Sequence, residues 1–365
     1  IYMKLKTFLQ IFGVIAVVAT MVPLFAADFW WIRIYDYFHI QLTLLTLAAL
    51  AAYFIRFDIK RKEDYIFMGV LLACFFYQLL GIYPYLPHKN YIVGDASPGQ
   101  TENNLIWLYA ANVLQKNTDP SLLIKEIEQK DPDVLLLTET DLRWKNDLSQ
   151  AVSGYPYKVE VPLGNTYGML LYSKLEMLDP KIRYLVDDSI PSIHTTLRLR
   201  SGNLVKFHAI HPTPPMPQHN PSSSDRDAEM MIVAKMAMDS DLPVIVAGDF
   251  NDVAWSGTTS LFANVGGLLD TRVGRGFYNS FDATSFLMRW PLDHFFVTEE
   301  FRVKQINLGN DIGSDHSPLE IILSLEPELA EEQRPKPASK DQIKRADEQI
   351  KVAREKQEEK KKNGE

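Results

Sequence analysis

Cysteine is almost missing: Cys74 is the only one in 365 residues. That excludes a disulfide scaffold and any thiolate metal site. An excess of positive charge is missing too. The 38 Lys and Arg stand against 46 Asp and Glu, a formal net charge of −8. A strongly basic nucleic-acid coat is thereby excluded. Internal repeats are also absent. What is present is enough length for a sizeable core, in two or three segments of domain size. Mean hydropathy is only −0.12, an average that hides a sharp division along the chain.

Residues 1–87 hold 7 Lys and Arg against 5 Asp and Glu. Residues 88–326 hold 20 against 31, and residues 327–365 hold 11 against 10. The acidity therefore lies in the middle. The first region carries three apolar runs, at about 8–27, 38–55 and 65–86, with charged residues only at their edges. Each is near the ~20 residues that cross a hydrocarbon core as helix. None shows the polar face of a buried soluble helix. The pattern predicts a three-helix membrane anchor over 1–87. A cleaved signal peptide ending at Leu24-Phe25-Ala26-Ala27 is the alternative for the first run. The chain opens on Ile1, and Met3 offers another start.

Lys4 and Lys6 precede the first run, and Arg56, Lys60, Arg61 and Lys62 separate the second from the third. Positive flanks stay cytoplasmic. The expected location is thus an inner (cytoplasmic) membrane, multi-pass, with the rest of the chain periplasmic or extracellular. Trp30, Trp31, Tyr35 and Tyr37 lie in the outer loop, as an interfacial belt would. Residues 88–102 read as an irregular linker and 103–326 as a catalytic globule. Residues 327–365 alternate Glu, Lys, Gln and Arg with few large apolar side chains. They read as a disordered or helical tail that builds no core of its own, with a helix start after Ser339.

Within the globule, strands are predicted at 105–111, 134–138, 169–172, 195–199, 204–210, 244–247, 294–297 and 319–323. Helices are predicted at 119–129 and 225–238. Many short strands with few helices predict a layered, sheet-rich α/β domain. Polar residues stand at the strand ends: Asn112, Glu139, His211, Asp249 with Asn251, Asp293, and Asp315 with His316. Strands of one sheet bring such ends to one rim. Oxygen donors without thiolates favour a hard cation, Mg²⁺ or Mn²⁺. An imidazole beside a carboxylate serves as acid or base. Together these groups suit hydrolysis of a phosphate ester. Alone, each has a plainer reading: Asn112 and Glu139 as strand-end caps, Asp249 as a turn residue, Asp315-His316 as a turn pair. Their joint order carries the argument.

That order resembles the endonuclease/exonuclease/phosphatase superfamily: Asn112, Glu139, Gly-Asp-Phe-Asn at 248–251, Leu-Asp-His at 292–294 and Ser-Asp-His at 314–316. With the preceding apolar runs, the chain resembles a bacterial membrane-anchored branch of that superfamily. The resemblance implies a DNase I-like α/β fold, a layered β-sandwich flanked by helices, preceded by three transmembrane helices. It implies Glu139 as the main metal ligand, with Asn112 and Asp315 close by. Asp249 would orient or deprotonate the attacking water, and Asn251 would hold that water or a phosphate oxygen. His316, oriented by Asp293, would bind or polarise the scissile phosphate, and His211 would assist the leaving group or stabilise charge. Tyr167 and Asn165 compete for a substrate-binding role. His208 reads as structural, and His194 and His219 have no motif support. Arg226 reads as a solvated surface residue that could reach an anionic substrate. The Pro-rich loop 212–224 either frames the cleft or is ordinary surface.

The expected partners are a lipid bilayer and a phosphoester substrate, either a lipid headgroup or a nucleic acid. An extracytoplasmic nuclease is the second reading; the acidic globule argues against tight nonspecific DNA binding. A non-catalytic receptor or scaffold on the same fold is the third. The full set of candidate catalytic residues argues against it.

Overall fold

The computed structural model describes residues 2–25, 29–215 and 222–363. Ala26, Ala27 and His219 lie outside the described residues. The chain divides into two compact units, one up to Leu86 with a short later segment ending at Ser223, the other holding the remainder.

The first unit contains helices α1 (Tyr2–Met21), α2 (Trp30–Tyr37), α3 (His39–Phe54) and α4 (Lys62–Ile82). Ala16, Ala49, Leu50 and Leu71 form its small core. Alanines on the facing surfaces let helix backbones approach closely. Phe8, Ile15, Leu44, Ile66 and Leu80 point outward and are exposed. Lys6 donates to Asp64 at 2.7 Å, and the Tyr53 hydroxyl donates to the same carboxylate oxygen at 3.0 Å. The starts of α1 and α4 therefore lie at one end of this unit. Among the described residues, one helix, Lys62–Tyr85, is long and apolar enough to cross a membrane. α2 and α3 pass that test only together, bent by 72°. The apolar stretch Leu5–Met21 is shorter. The three expected spans thus reduce to one or two candidates. The first helix gives way to a 3₁₀ turn at Val22–Phe25, where Pro23 has no N–H to continue it.

The second unit is built on two six-stranded sheets. The first sheet holds β1 (Leu105–Asn112), β2 (Val134–Thr138), β3 (Tyr157–Val161), β4 (Met169–Ser173), β11 (Phe301–Leu308) and β12 (Leu319–Leu325), ordered β11-β12-β1-β2-β4-β3. The second holds β5 (Glu176–Arg183), β6 (Ser192–Arg198), β7 (Leu204–Ala209), β8 (Val244–Asp249), β9 (Leu269–Asp270) and β10 (Asp293–Val297), ordered β5-β6-β7-β8-β10-β9. Strand alternation separates the layers. Ile106, Leu108 and Ala110 enter the core between the sheets, with Phe207, Ile245 and Phe295 from the other sheet. Tyr109 and Ala111 face outward and pack with Leu123, Ile127 and Trp144. Those three belong to α5 (Ser121–Lys130) and α6 (Leu142–Asp147). The outer face of the second sheet is covered by α7 (Ser224–Met238), α8 (Gly257–Gly266) and α9 (Lys340–Asn363).

α9 follows Ser339 as a helix, and it docks on the globule instead of standing as a solvated tail. Ala346, Ile350 and Ala353 are buried. The first two join a cluster with Val246, Phe250 and Phe296. A stripe at spacings of four and three is enough to dock an otherwise charged helix. Lys235 pairs with Asp347, and Lys356 with Asp225 at 2.9 Å.

Topology gathers the strand ends. β1 runs parallel to β2, and β7 parallel to β8. β12 is antiparallel to β1, and β10 antiparallel to β8. The ends of β1, β2, β7 and β8 and the starts of β10 and β12 therefore share the rims that carry the candidate residues. Asp293 lies directly opposite Asp249 in the β10–β8 register.

Candidate active site

Asn112 ends β1 and links the two sheets. Its Nδ2 donates to Glu139 Oε1 at 2.9 Å and to Asp249 Oδ2 at 3.1 Å. Its Oδ1 accepts from the Leu114 backbone at 3.0 Å. A backbone N–H can only donate, so this bond sets which way the amide points. Asn112 thus presents its N–H groups to both carboxylates and tethers them, while its Oδ1 faces the Leu114 N–H.

Glu139 follows β2 with φ +58°, a left-handed conformation that costs a non-glycine residue ~1–2 kcal/mol. Asn251, after β8, has φ +49°. Such strain collects where surroundings over-determine the backbone. The Asn251 backbone donates to Asp249 Oδ1 at 2.9 Å, and its side-chain amide donates to the Pro212 carbonyl at 3.0 Å. Gly248 has φ +139°, and a Cβ there would lie 2.0 Å from the Ile210 carbonyl oxygen. Glycine is therefore required where the Asp249 strand presses against the His211 strand.

Asp249, Asp293, His211 and His316 are all buried. His316 Nδ1 is 2.8 Å from Asp293 Oδ2. Burial opposes its charged form, but Asp293 and Asp249 overcome that and push the imidazole up to about 10. Ser314 fixes its backbone: the hydroxyl donates to the Asn112 carbonyl at 2.8 Å and accepts from the His316 N–H at 3.0 Å. The Phe281 ring lies 4.9 Å from the His316 ring. The Tyr167 ring lies 5.3 Å from the His211 ring. Burial pushes the Tyr167 phenol up to about 12; a Thr213 hydrogen bond opposes this, and the charges of Glu139 and Asp249 add to it. Tyr167 thus borders the cluster. Asn165 does not: it is exposed and donates to the Ser189 carbonyl at 3.0 Å.

The donor set fits a hard divalent cation. Burial pushes the Asp315 carboxyl up; His316 opposes this, and the charges of Glu139 and Asp282 add to it. A divalent cation between these carboxylates would relieve that repulsion. Asp249, Asp293 and His316 also bring ligand atoms within 4.8 Å of one another. Within this group His316 Nδ1 is already engaged by Asp293 Oδ2, which suits the imidazole to proton handling as well.

Arg226 differs from its reading in the sequence. It is not a solvated surface residue but is 1% exposed. Its guanidinium donates to Asp227 Oδ1 from two nitrogens, at 3.0 and 2.9 Å. It also donates to the Asn251 carbonyl at 2.9 Å and lies 3.3 Å from Asp252. It holds the Asp249–Asn251 turn from behind. His294 does similar work: it contacts Arg272 and lies 2.8 Å from the Asp252 carbonyl. Burial first, then the Arg272 charge, push its imidazole well below its ordinary range. His294 stands in the Leu-Asp-His motif, but neither its supporting role nor that of Arg226 shows in the sequence, because both depend on burial. His194 and His208 bond each other at 2.8 Å on β6 and β7.

Residues 108–316 match the model of the Endonuclease/Exonuclease/phosphatase family. The chain belongs to that family and is a metal-dependent hydrolase of phosphoester bonds. No curated protein matches the sequence. Among solved structures, the chain is similar to D. rerio TDP2 complexed with a single-strand DNA product, at 18% identity and a TM-score of 0.51, covering 60% of this chain and 99% of that one. It is also similar to a conserved protein of unknown function from Enterococcus faecalis V583, at 16% identity and a TM-score of 0.50, covering 60% and 100%. These likenesses establish the fold.

Proposed function

We propose that the chain is a membrane-anchored, Mg²⁺- or Mn²⁺-dependent phosphoesterase whose site faces outside the cytoplasm. The observation that carries the catalytic part is the placement of Asp249. One oxygen of this buried carboxylate lies 3.1 Å from Asn112 and 3.7 Å from both His211 and His316. Glu139 and Asp315 would hold the cation, with Asn112 keeping Glu139 in place. When bound, the cation supplies Lewis-acid polarisation of a phosphoryl oxygen. Asp249 orients the attacking water and accepts its proton. His316, kept charged by Asp293, donates to a phosphate oxygen and stabilises the charge that develops there. His211, beside Tyr167, serves the leaving group. Asn251 shapes the turn that aims Asp249.

The anchor rests on the apolar helices of the first unit and their outward Phe, Ile and Leu side chains. The orientation rests on Lys4, Lys6 and the basic stretch 56–62. The Lys6–Asp64 pair at one end of that unit is consistent with both basic segments sharing a side.

The test is an assay of the purified full chain with Mg²⁺ or Mn²⁺ on plasmid DNA, RNA, phospholipids, sphingomyelin and bis(p-nitrophenyl) phosphate. Hydrolysis lost in the Glu139→Ala, His316→Ala double variant supports the site; hydrolysis retained there sinks it. A periplasm-active reporter fused after Glu365 tests orientation. Silence there, with a working cytoplasm-active reporter, reverses it.

A further inference from the structure

Next to His316, the chain leaves the site as a short closed loop. Phe281 and Trp290 face each other in an antiparallel bridge, with Phe281 N–H donating to the Trp290 carbonyl at 2.9 Å. Their rings stack at 6.2 Å. The tip is ordered by its own bonds. The Thr284 N–H donates to Asp282 Oδ1 at 2.8 Å, and the Met288 N–H to the Ser285 hydroxyl at 2.9 Å. On this built loop, three consecutive apolar residues face solvent: Phe286 is 93% exposed, Leu287 71% and Met288 42%.

Consecutive exposed apolar residues are costly in water and are kept where they bind something. The base of the loop packs on a catalytic imidazole, so whatever the tip enters lies next to the site. A single-stranded nucleic acid would need a basic groove with stacking rings. The globule is acidic, and Leu287 and Met288 offer no ring. A lipid surface asks only for apolar side chains that enter the boundary between headgroups and acyl chains. The same chain carries the membrane-length helix Lys62–Tyr85. Insertion of that helix alone holds a bilayer at high effective concentration.

We infer that residues 286–288 are a lipid-docking tip, and that the phosphoester cleaved at the neighbouring site is carried on a membrane lipid. This rests on the phosphoesterase reading above and narrows its substrate class. Docking positions a headgroup phosphate at His316 while its acyl chains stay in the bilayer.

Two measurements on the full chain in nanodiscs test this. First, in a Cys74→Ser background, a fluorophore on Phe286→Cys is compared with one on Ser201→Cys. Ser201 lies before β7, at the opposite end of that strand from His211. In nanodiscs of dibromostearoyl phosphatidylcholine and phosphatidylglycerol, the 286 label is quenched and the 201 label is not. Equal quenching, or none at 286, overturns the docking. Second, the Phe286→Ser, Leu287→Ser variant is assayed on the phospholipids and on bis(p-nitrophenyl) phosphate. Losing two apolar side chains that the bilayer would take up lowers phospholipid turnover about tenfold or more. Turnover of the soluble diester stays at the parent level. A parallel fall on both substrates, or a fall on neither, overturns the proposal. Failure of the parent chain to cleave any phosphoester overturns the hydrolase reading instead, and is separable because quenching is read without turnover.

Discussion

Asp249 Oδ2 stands 3.7 Å from Nε2 of His211 and 3.7 Å from Nε2 of His316. One carboxylate oxygen thus serves two imidazoles from opposite sheets, with the Asn112 amide as a third neighbour. Asp249→Asn keeps the shape and removes the charge. Turnover of a soluble phosphodiester should fall ~10²–10⁴-fold, the usual worth of a positioned acid or base. Near-native turnover in this variant would assign the proton transfer elsewhere.

His316 has a pH consequence with a definite sign. Its pKa rises from 6.5 to about 10 on folding. The proton is therefore bound more tightly in the folded state. The stability gained is complete below 6.5 and is lost as pH rises through about 10. Melting curves should show stability declining across that alkaline window, with the His316-dependent part absent in His316→Gln. Asp293→Asn should lower the imidazole pKa, seen directly by NMR. An unchanged pKa there would remove Asp293 from its orienting role.

Arg226 should matter for both folding and rate. Arg226→Ala leaves Asp227 and Asp252 buried without their cation, a loss of ~3–5 kcal/mol. Arg226→Lys keeps the charge but loses the planar fork that serves several partners at once. The lysine variant should melt closer to the parent yet lose kcat with KM little changed, because the Asn251 turn is no longer held. A kcat equal to the parent's would make Arg226 purely structural.

Metal dependence should concentrate on Glu139. Chelation should abolish hydrolysis, and Mg²⁺ or Mn²⁺ should restore it. Added metal should also raise the melting temperature, since a ligand bound only by the folded state stabilises it. Glu139→Gln should weaken both effects, and Asn112→Ala should weaken them less. The reverse ranking would return Asn112 to the role of direct ligand.

The helix α9 gives a test remote from the chemistry. Ile350→Ala should cost ~2–5 kcal/mol, as core truncations do. Hydrogen exchange should then quicken in α7 and β8, the elements that share its cluster. A surface-like effect would mean the helix contributes no core.

The strand ends were legible because chemistry and turn residues coincide there. Gly-Asp-Phe-Asn and Ser-Asp-His stand out against apolar strands such as 244–247 and 319–323. β5 was not legible: it is a polar, exposed edge strand interrupted by Pro180 and a register shift. A strand with one solvated face and an open edge carries little apolar signal. Arg226 was misread because sequence shows a charge but not the two buried carboxylates that neutralise it. The helix after Ser339 was legible, but composition averaged over its length hides the docking stripe Ala346, Ile350 and Ala353. Asn112 is legible as a polar strand-end residue, but the direction of its amide depends on the Leu114 bond, which sequence does not show.

The position of α9 also orders events during synthesis. Residues 340–363 leave the ribosome after every candidate catalytic residue has already emerged. Yet Ala346 and Ile350 complete the cluster that backs Val246 and Phe250, either side of Asp249. A nascent chain holding Asp249 and His316 but not yet α9 has a bare apolar face behind its catalytic strand. The hydrolase is therefore expected to gain its activity only when this helix docks, so catalytic competence arrives after the last candidate catalytic residue has been made.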